Sequence, residues 1–93
     1  MNLELTTRVK RNPDMIAADM KGETVMMSIS TGKYHSVNSV GSRIWELLAS
    51  PSDANQLIES LVSEYDVSKE VCTKEVIEFI ETMLKSEVLL LDA

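Results

Sequence analysis

The chain has 93 residues, 44% of them apolar and 26% charged, which is the composition of a folded domain rather than of a disordered segment. A chain this short buries only about 60–65% of the surface that its unfolded form exposes, so we expect modest stability and no deep cleft. No stretch approaches the roughly 20 apolar residues that cross a bilayer, and the N-terminus lacks a signal-peptide pattern. The lone cysteine, Cys72, cannot form an internal disulfide, which predicts a cytoplasmic protein.

The net charge of −6 is unevenly distributed along the chain. Residues 1–46 carry six Lys or Arg and five Asp or Glu, whereas residues 47–93 carry three and ten. An acidic half of this kind repels phosphate, so nucleic acid is a poor partner. The only basic run, Arg8, Lys10 and Arg11, is interpreted as a solvated strand edge rather than as a binding patch.

The first 38 residues have the turn signals of β-hairpins. Four segments have strand character: a short strand or extended arm over 3–9, and strands over 15–19, 23–29 and 33–37. Gly22 lies in a tight turn at the position that needs a positive φ. Short connections make the last three strands antiparallel neighbours, so they form a meander with 33–37 at its edge.

After residue 38 the apolar spacing becomes helical. Three helices are predicted over about 39–86, and each follows a candidate N-cap: Asn38 or Ser39, then Ser52 or Asp53, then Ser68. The third helix runs from about Lys69 to Lys85 or Ser86, and residues 88–91 are predicted to pack as an extended tail. The pattern indicates one α+β domain of winged-helix type over 1–93: a three-stranded antiparallel sheet followed by three helices that cover one of its faces.

The residues that usually carry chemistry are sparse. His35 and Cys72 are the only histidine and cysteine, and they show no paired spacing for a metal or for nucleophilic catalysis. No glycine-rich phosphate loop is present. The helical carboxylates Glu75, Glu78 and Glu81 have the spacing of a solvated face. We therefore expect no enzyme activity, no metal and no cofactor.

Two features suggest a binding role. The strand over 33–37 has a free edge without a proline, which is either shielded by Lys33 and its shortness or available to an incoming extended peptide. The third helix has apolar positions beyond a ~100° stripe, so part of it is either wrapped by the core or forms the far wall of a groove. The residues alone leave both alternatives open.

The segment GKYHSVNSVGSRIWELL over 32–48 resembles the core pattern of the PqqD-like family, the precursor-peptide recognition elements of ribosomally made, modified peptides. The resemblance continues to Val88-Leu89-Leu90 and covers nearly the whole chain. It implies a winged-helix-like fold that binds a leader peptide as an added strand between the third strand and the third helix. Carried over, the peptide-binding positions are Lys33, Tyr34, His35, Ser36 and Val37 on the strand, and Val71, Glu75, Val76, Glu78, Phe79, Thr82 and Met83 on the helix.

A free-standing chain of this size resembles the recognition half of a split lasso-peptide leader peptidase. The resemblance then implies a separate cysteine protease as partner, with a ring-closing synthetase as a further one. Acidic residues on the third helix favour a leader with basic residues beside its apolar anchors. The alternatives are a peptide chaperone subunit for a radical enzyme and, against the charge, a winged-helix DNA-binding regulator. Glu87 stands where the family often has Gly, which weakens the expected left-handed cap of the third helix.

Overall fold

The computed structural model describes residues 4–21 and 23–92. Within this part the elements, in chain order, are β1 (Arg8–Arg11), β2 (Met15–Met20), β3 (Glu23–Ser28), β4 (Tyr34–Val37), α1 (Ser39–Leu47), β5 (Ser52–Asp53), α2 (Ala54–Glu64), α3 (Lys69–Lys85) and β6 (Leu89–Leu91). Over the same residues, the helices are too short or too polar to cross a membrane.

The first sheet confirms the predicted meander. Its strand order is β2-β3-β4, all antiparallel, so β4 lies at an edge. Gly22, where a positive φ was predicted, lies outside the described residues, and its neighbour Lys21 has a φ of +55°. The turn before β4 contains Gly32 at a φ of +74°, which a glycine adopts without strain.

A second small sheet, in the order β5-β1-β6, was not predicted. Its central strand begins at Arg8 instead of residue 3, since residues 4–7 form a turn; Leu3 lies outside the described residues. The apolar tail is itself a strand: Val9 pairs with Leu91 and Arg11 with Leu89. This pairing joins segments almost 80 residues apart, and such contacts leave no local signal in the sequence.

The second sheet also corrects the interpretation of the basic run. Because β1 is the central strand there, Arg11 is half-buried rather than solvated. Its guanidinium lies 4.5 Å from the centroid of the Trp45 ring and donates to the Trp45 carbonyl from both Nε (3.0 Å) and Nη2. Arg11 therefore joins β1 to α1 through a cation–π contact with the Trp45 ring and hydrogen bonds to the Trp45 carbonyl.

Each helix begins at one of its predicted caps. The Asn38 side chain accepts from the Gly41 N–H at 2.9 Å, and Ser68 accepts from the Val71 N–H at 3.2 Å. Asp53 and Gln56 form a reciprocal capping box, with bonds of 2.9 and 3.1 Å. These bonds satisfy amide groups that a helix start leaves without partners.

The core lies between the helices and one face of the β2-β3-β4 sheet, as expected. β3 turns Thr24 and Met26 inward, and Met26 is completely buried. The largest fully buried side chains come from every layer: Val9, Met26, Ile44, Leu48, Leu57, Ile58, Leu61, Val76, Ile80, Val88 and Leu89. The opposite face of the sheet is left uncovered.

The third helix ends in a left-handed cap although no glycine is present. Glu87 has a φ of +62°. Its N–H donates to the Leu84 carbonyl at 3.2 Å, and the Val88 N–H donates to the Met83 carbonyl at 2.9 Å, which together form a Schellman motif. Asn12 holds this turn from outside, because its Nδ2 donates to the Glu87 carbonyl at 2.7 Å. Glu87 in place of glycine therefore strains the backbone of the cap but leaves the hydrogen-bonding geometry of the cap unchanged.

Replacing Glu87 by glycine should therefore stabilise the fold. A non-glycine residue in the left-handed region costs about 1 kcal/mol, which the substitution removes. We expect the free energy of unfolding in urea to rise by about 1 kcal/mol. Ser86→Gly is the matched control, because Ser86 has a φ of −87° and gains nothing from glycine. Equal effects of the two changes would contradict the strain at Glu87.

Candidate functional site

The free edge of β4 carries unpaired backbone groups at two residues. The Ser28 N–H donates to the Lys33 carbonyl at 2.8 Å, and this bond fixes the alternation of the ladder between β3 and β4. By that alternation His35 and Val37 direct their backbone groups to β3. Tyr34 and Ser36 direct theirs away from the sheet. An extended chain beside β4 would find both donors and acceptors at these two residues.

Helix α3 forms the wall opposite this edge with two parallel strips of side chains. An exposed strip contains Val71, Glu75, Glu78 and Thr82. The neighbouring strip, Cys72, Val76, Phe79 and Met83, is buried except for Phe79, which is half-buried. The spacing within each strip is i, i+4, i+7, i+11 or close to it, which places its members on one helix face. On this side of α3, a ligand can therefore reach the exposed strip and Phe79.

The floor between strand and helix is Gly41 on α1. A Cβ atom built on this residue would lie 2.8 Å from the Val37 Cβ and 3.0 Å from Cε2 of Phe79. Real Cβ atoms essentially never show the shorter of these contacts, and the longer one is tight, so glycine lets the three elements meet here without displacing a neighbour. The edge strand, the first helix and the third helix are consequently held in a fixed relation by one small residue.

Two cavities lie at opposite ends of this strand-and-helix pair. One, of about 510 Å³, is polar and joins the start of β4 to the end of α3; it is lined by Asn12, Asp14, Met15, Ser28, Ser30, Thr31, Lys33, His35, Lys85, Ser86 and Glu87. The other, of about 270 Å³, adjoins the first half of α3; it is lined by Val40, Leu61, Tyr65, Asp66, Val67, Cys72, Glu75 and Val76. β4 and α3 thus run in opposite directions. The space between them has a polar end at the first cavity and a largely apolar end at the second.

The polar end is organised by Asp14. Its carboxylate accepts from the Ser28 hydroxyl at 2.5 Å, from the Ser30 hydroxyl at 2.8 Å and from the Ser30 N–H at 3.2 Å. The bonds from the two serine side chains hold the pKa of Asp14 below its ordinary value. These bonds fix the turn that leads into β4, so the edge strand starts from an ordered position.

The structure places the predicted site residues in two groups. Those with accessible side chains are Lys33, Tyr34, His35, Ser36, Val71, Glu75, Glu78, Phe79 and Thr82, of which His35 and Phe79 are half-buried. Val37, Val76 and Met83 are buried in the core, where they support the wall and the strand. Among the residues that the structure describes, Tyr34 is the most exposed large apolar one, at 73%, and it points to the open face of the sheet.

Some residues of these cavities were not predicted as site residues. Val40 and Val67 line the apolar end, and Lys85 lines the polar end. Lys85 is three residues beyond Thr82, so continuing the helical spacing by one step would have found it. Val67 lies in a connection between helices, and no periodicity points to it.

His35 and Cys72 are not brought together. His35 lines the polar cavity and Cys72 the apolar one. Burial, with a smaller contribution from Glu75, raises the pKa of the Cys72 thiol, which is the opposite of what a nucleophile needs. Across residues 4–21 and 23–92, no group of three or more His, Cys, Asp or Glu side chains is placed to hold a metal ion.

Comparison with known proteins gives the family. Residues 23–89 match the family described as coenzyme PQQ synthesis protein D (PqqD), a match that spans well over half of the chain. The protein is a member of the PqqD family. Among curated proteins, no sequence matches it significantly.

Two solved structures share the fold. The structure of "TbiB1 in Complex with the TbiA(beta) Leader Peptide" superposes with a TM-score of 0.79 at 26% identity, over 86% of this chain and 93% of that one. The structure of "Lasso peptide synthetase B1 complexed with the leader peptide" gives a TM-score of 0.73 at 16% identity, over 88% and 96%. The predicted winged-helix-like α+β fold is thereby confirmed, and at 16% identity the second likeness speaks to the fold alone.

Gly41→Ala tests the contact at the floor. Alanine favours a helix by about 1 kcal/mol over glycine, but here its methyl group meets Val37 and Phe79. We expect a net loss of about 1–3 kcal/mol in the free energy of unfolding. Gly41→Ala with Phe79→Leu should recover part of that loss, because leucine leaves room for the methyl group. A single variant as stable as the parent would show that the contact is loose.

The Cys72 thiol should react slowly in the folded protein. It is 3% exposed and its pKa is raised, so little thiolate is accessible. With a chromogenic disulfide reagent at pH 8, we expect a rate at least about tenfold below that of the urea-unfolded chain. Equal rates would mean that the apolar end of the site opens readily.

Proposed function

We propose that this protein is a non-catalytic recognition module that binds the leader segment of a ribosomally made precursor peptide as an added strand on β4. The observation that carries this proposal is the free edge at Tyr34 and Ser36 beside the exposed strip of α3. When a peptide adds to such an edge as a strand, main-chain hydrogen bonds provide affinity and pockets for its side chains provide sequence specificity. The likeness to TbiB1, whose solved structure contains a leader peptide, supports the same reading.

The two ends of the site suggest what the leader carries. The cavity beside Val40, Val67 and Val76 suits an apolar side chain, because half of its lining residues are aliphatic. Glu75 lines this cavity, and Glu78 is exposed three residues further along the same strip, which favours a basic residue close to that apolar anchor. In the opposite direction the leader meets Lys33 and His35, where a polar side chain is better accommodated.

The protein would present the bound leader to a separate enzyme. If the protein serves lasso-peptide biosynthesis, this partner is a cysteine-protease leader peptidase in the cytoplasm, and the ring-closing synthetase is a second partner. The acidic charge of residues 47–93 argues against a nucleic-acid partner. Leader recognition and catalysis would then reside in different chains.

A second candidate function follows from the family itself. The matched family is named for coenzyme PQQ synthesis, so a peptide chaperone for a radical peptide-modifying enzyme uses the same edge for a different client. The genes adjacent to this one would distinguish the two candidate functions. A cysteine protease and a synthetase beside the gene favour the lasso pathway, whereas a radical enzyme favours the chaperone.

Ser36→Pro tests the strand-addition site. Proline removes the outward N–H of Ser36 and leaves the β3–β4 ladder intact, because proline is tolerated where an edge N–H faces solvent. The probe is a labelled synthetic leader from the precursor peptide encoded beside the gene, titrated by fluorescence anisotropy. We expect the dissociation constant to rise at least about tenfold, the cost of a lost backbone hydrogen bond plus misfit.

Ala17→Pro is the matched control, since it makes the same change on the far edge of the same sheet. It should leave leader affinity unchanged, and circular dichroism should show both variants folded. If the parent protein does not bind the leader up to about 100 µM, the proposed function is wrong. If binding is tight but Ser36→Pro leaves it intact, the peptide binds elsewhere on the protein.

A further inference from the structure

The β2-β3-β4 sheet has a second free edge, formed by β2. The Ile29 N–H donates to the Asp14 carbonyl at 2.9 Å, and this bond sets the alternation between β2 and β3. Ile16, Ala18 and Met20 therefore direct their backbone groups to β3. Ala17 and Asp19 direct theirs outward. The free edge of β2 thus resembles that of β4, with two residues that offer N–H and C=O groups.

This second edge lacks the features that normally protect a strand from pairing. β2 is six residues long, two more than β4, and five of its residues are exposed. It contains no proline and no lysine, and Asp19 is its only charged residue. Ile16 and Met20 are 51% and 60% exposed on the uncovered face of the sheet. A long, largely apolar edge with a single charged residue invites another strand.

We propose that β2 pairs antiparallel with β2 of a second copy of this chain, and that the two sheets become one sheet of six strands. The register places Ala17 opposite Asp19 of the other copy and Ala18 opposite its equivalent on the twofold axis. This register uses the outward groups of Ala17 and Asp19 in both copies, which gives four backbone hydrogen bonds. A shift by two residues in one direction would require the Met15 N–H, which already donates to the Asn12 carbonyl at 3.0 Å. The opposite shift would place the two Asp19 carboxylates opposite each other, which is unfavourable.

The side chains suit this register. On the uncovered face, Ile16 lies opposite Met20 of the second copy, and Met20 lies opposite its Ile16, so exposed apolar surface is covered in both directions. Asp19 faces Ala17 rather than another carboxylate. The charge of −6 opposes pairing only weakly, because residues 1–46 carry six basic and five acidic groups and the acidic excess lies in residues 47–93.

The pairing leaves both copies of β4 at the outer edges of the joined sheet. Each leader-binding edge proposed above stays open, so dimer formation and peptide binding are separate events. The inference therefore stands or falls independently of the proposed function. The contact is small, and we expect a reversible dimer with a dissociation constant above about 10 µM.

Sedimentation equilibrium of the intact chain from about 5 µM to about 1 mM tests the proposal, because a small interface needs that range. The parent protein should pass from monomer to dimer. Ala18→Lys places two ammonium groups opposite each other on the twofold axis and should weaken the dimer at least about tenfold. Ala17→Pro removes an outward N–H and should do the same. Ser36→Lys and Ser36→Pro make matched changes on β4 and should leave the dimer intact.

Hydrogen exchange supplies a readout that does not depend on any variant. The amides of Ala17 and Asp19 should become protected as the protein concentration rises, whereas those of Tyr34 and Ser36 should not. A protein that stays monomeric at about 1 mM overturns the proposal. So does a dimer that survives both Ala17→Pro and Ala18→Lys, or one that is lost in the β4 variants, since the contact then lies on another surface.

Discussion

The close approach of α1 to β4 at Gly41 is the constraint on which the candidate site depends. A side chain at this position would meet Val37 on the strand and Phe79 on the third helix at 3.0 Å or less. Because each of these residues belongs to a different element, one glycine sets how near the edge strand comes to the helix that faces it. A wider floor would separate the backbone groups of Tyr34 and Ser36 from the exposed strip of α3. The fold thus tolerates glycine's unfavourable helix propensity at a place where three elements pack closely.

The central strand β3 explains why the same sheet has two usable edges. Its residues direct their backbone groups alternately to β2 and to β4, so both neighbours are fully paired on one side and free on the other. The two edges differ in their surroundings. β4 lies beside α3 and contributes His35 to the polar cavity, which under the proposed function would give selectivity for a ligand strand. β2 carries the exposed apolar residues Ile16 and Met20, which under the proposed dimer would pair with those of a second copy. One meander therefore provides two kinds of pairing surface.

Local signals in the sequence were sufficient for the meander, the three helices and their caps, because a cap or a tight turn depends on a few adjacent residues. The β5-β1-β6 sheet was missed since its strands are two to four residues long and pair across the whole chain. At the candidate site, the turn residues were sufficient to predict the edge strand, but the peptide-binding positions on α3 were predicted only from the resemblance to the family. Helical spacing alone could not show that Val76 is buried while Val71, an apolar residue on the same helix, is exposed. The cap at Glu87 was unpredictable for another reason: Asn12, which braces it, lies 75 residues away.

The pairing of β1 with β6 has a consequence for the order in which the protein folds. Arg8–Arg11 are synthesised about 80 residues before their partners Leu89–Leu91. During that interval the meander and the first two helices can form from neighbouring segments, but Val9 has no strand to bury it. Closing so long a loop is slow compared with forming local contacts. A nascent chain would therefore display the free edge of β4 before the second sheet is complete, and β1 would be held in place only after β6 has been made.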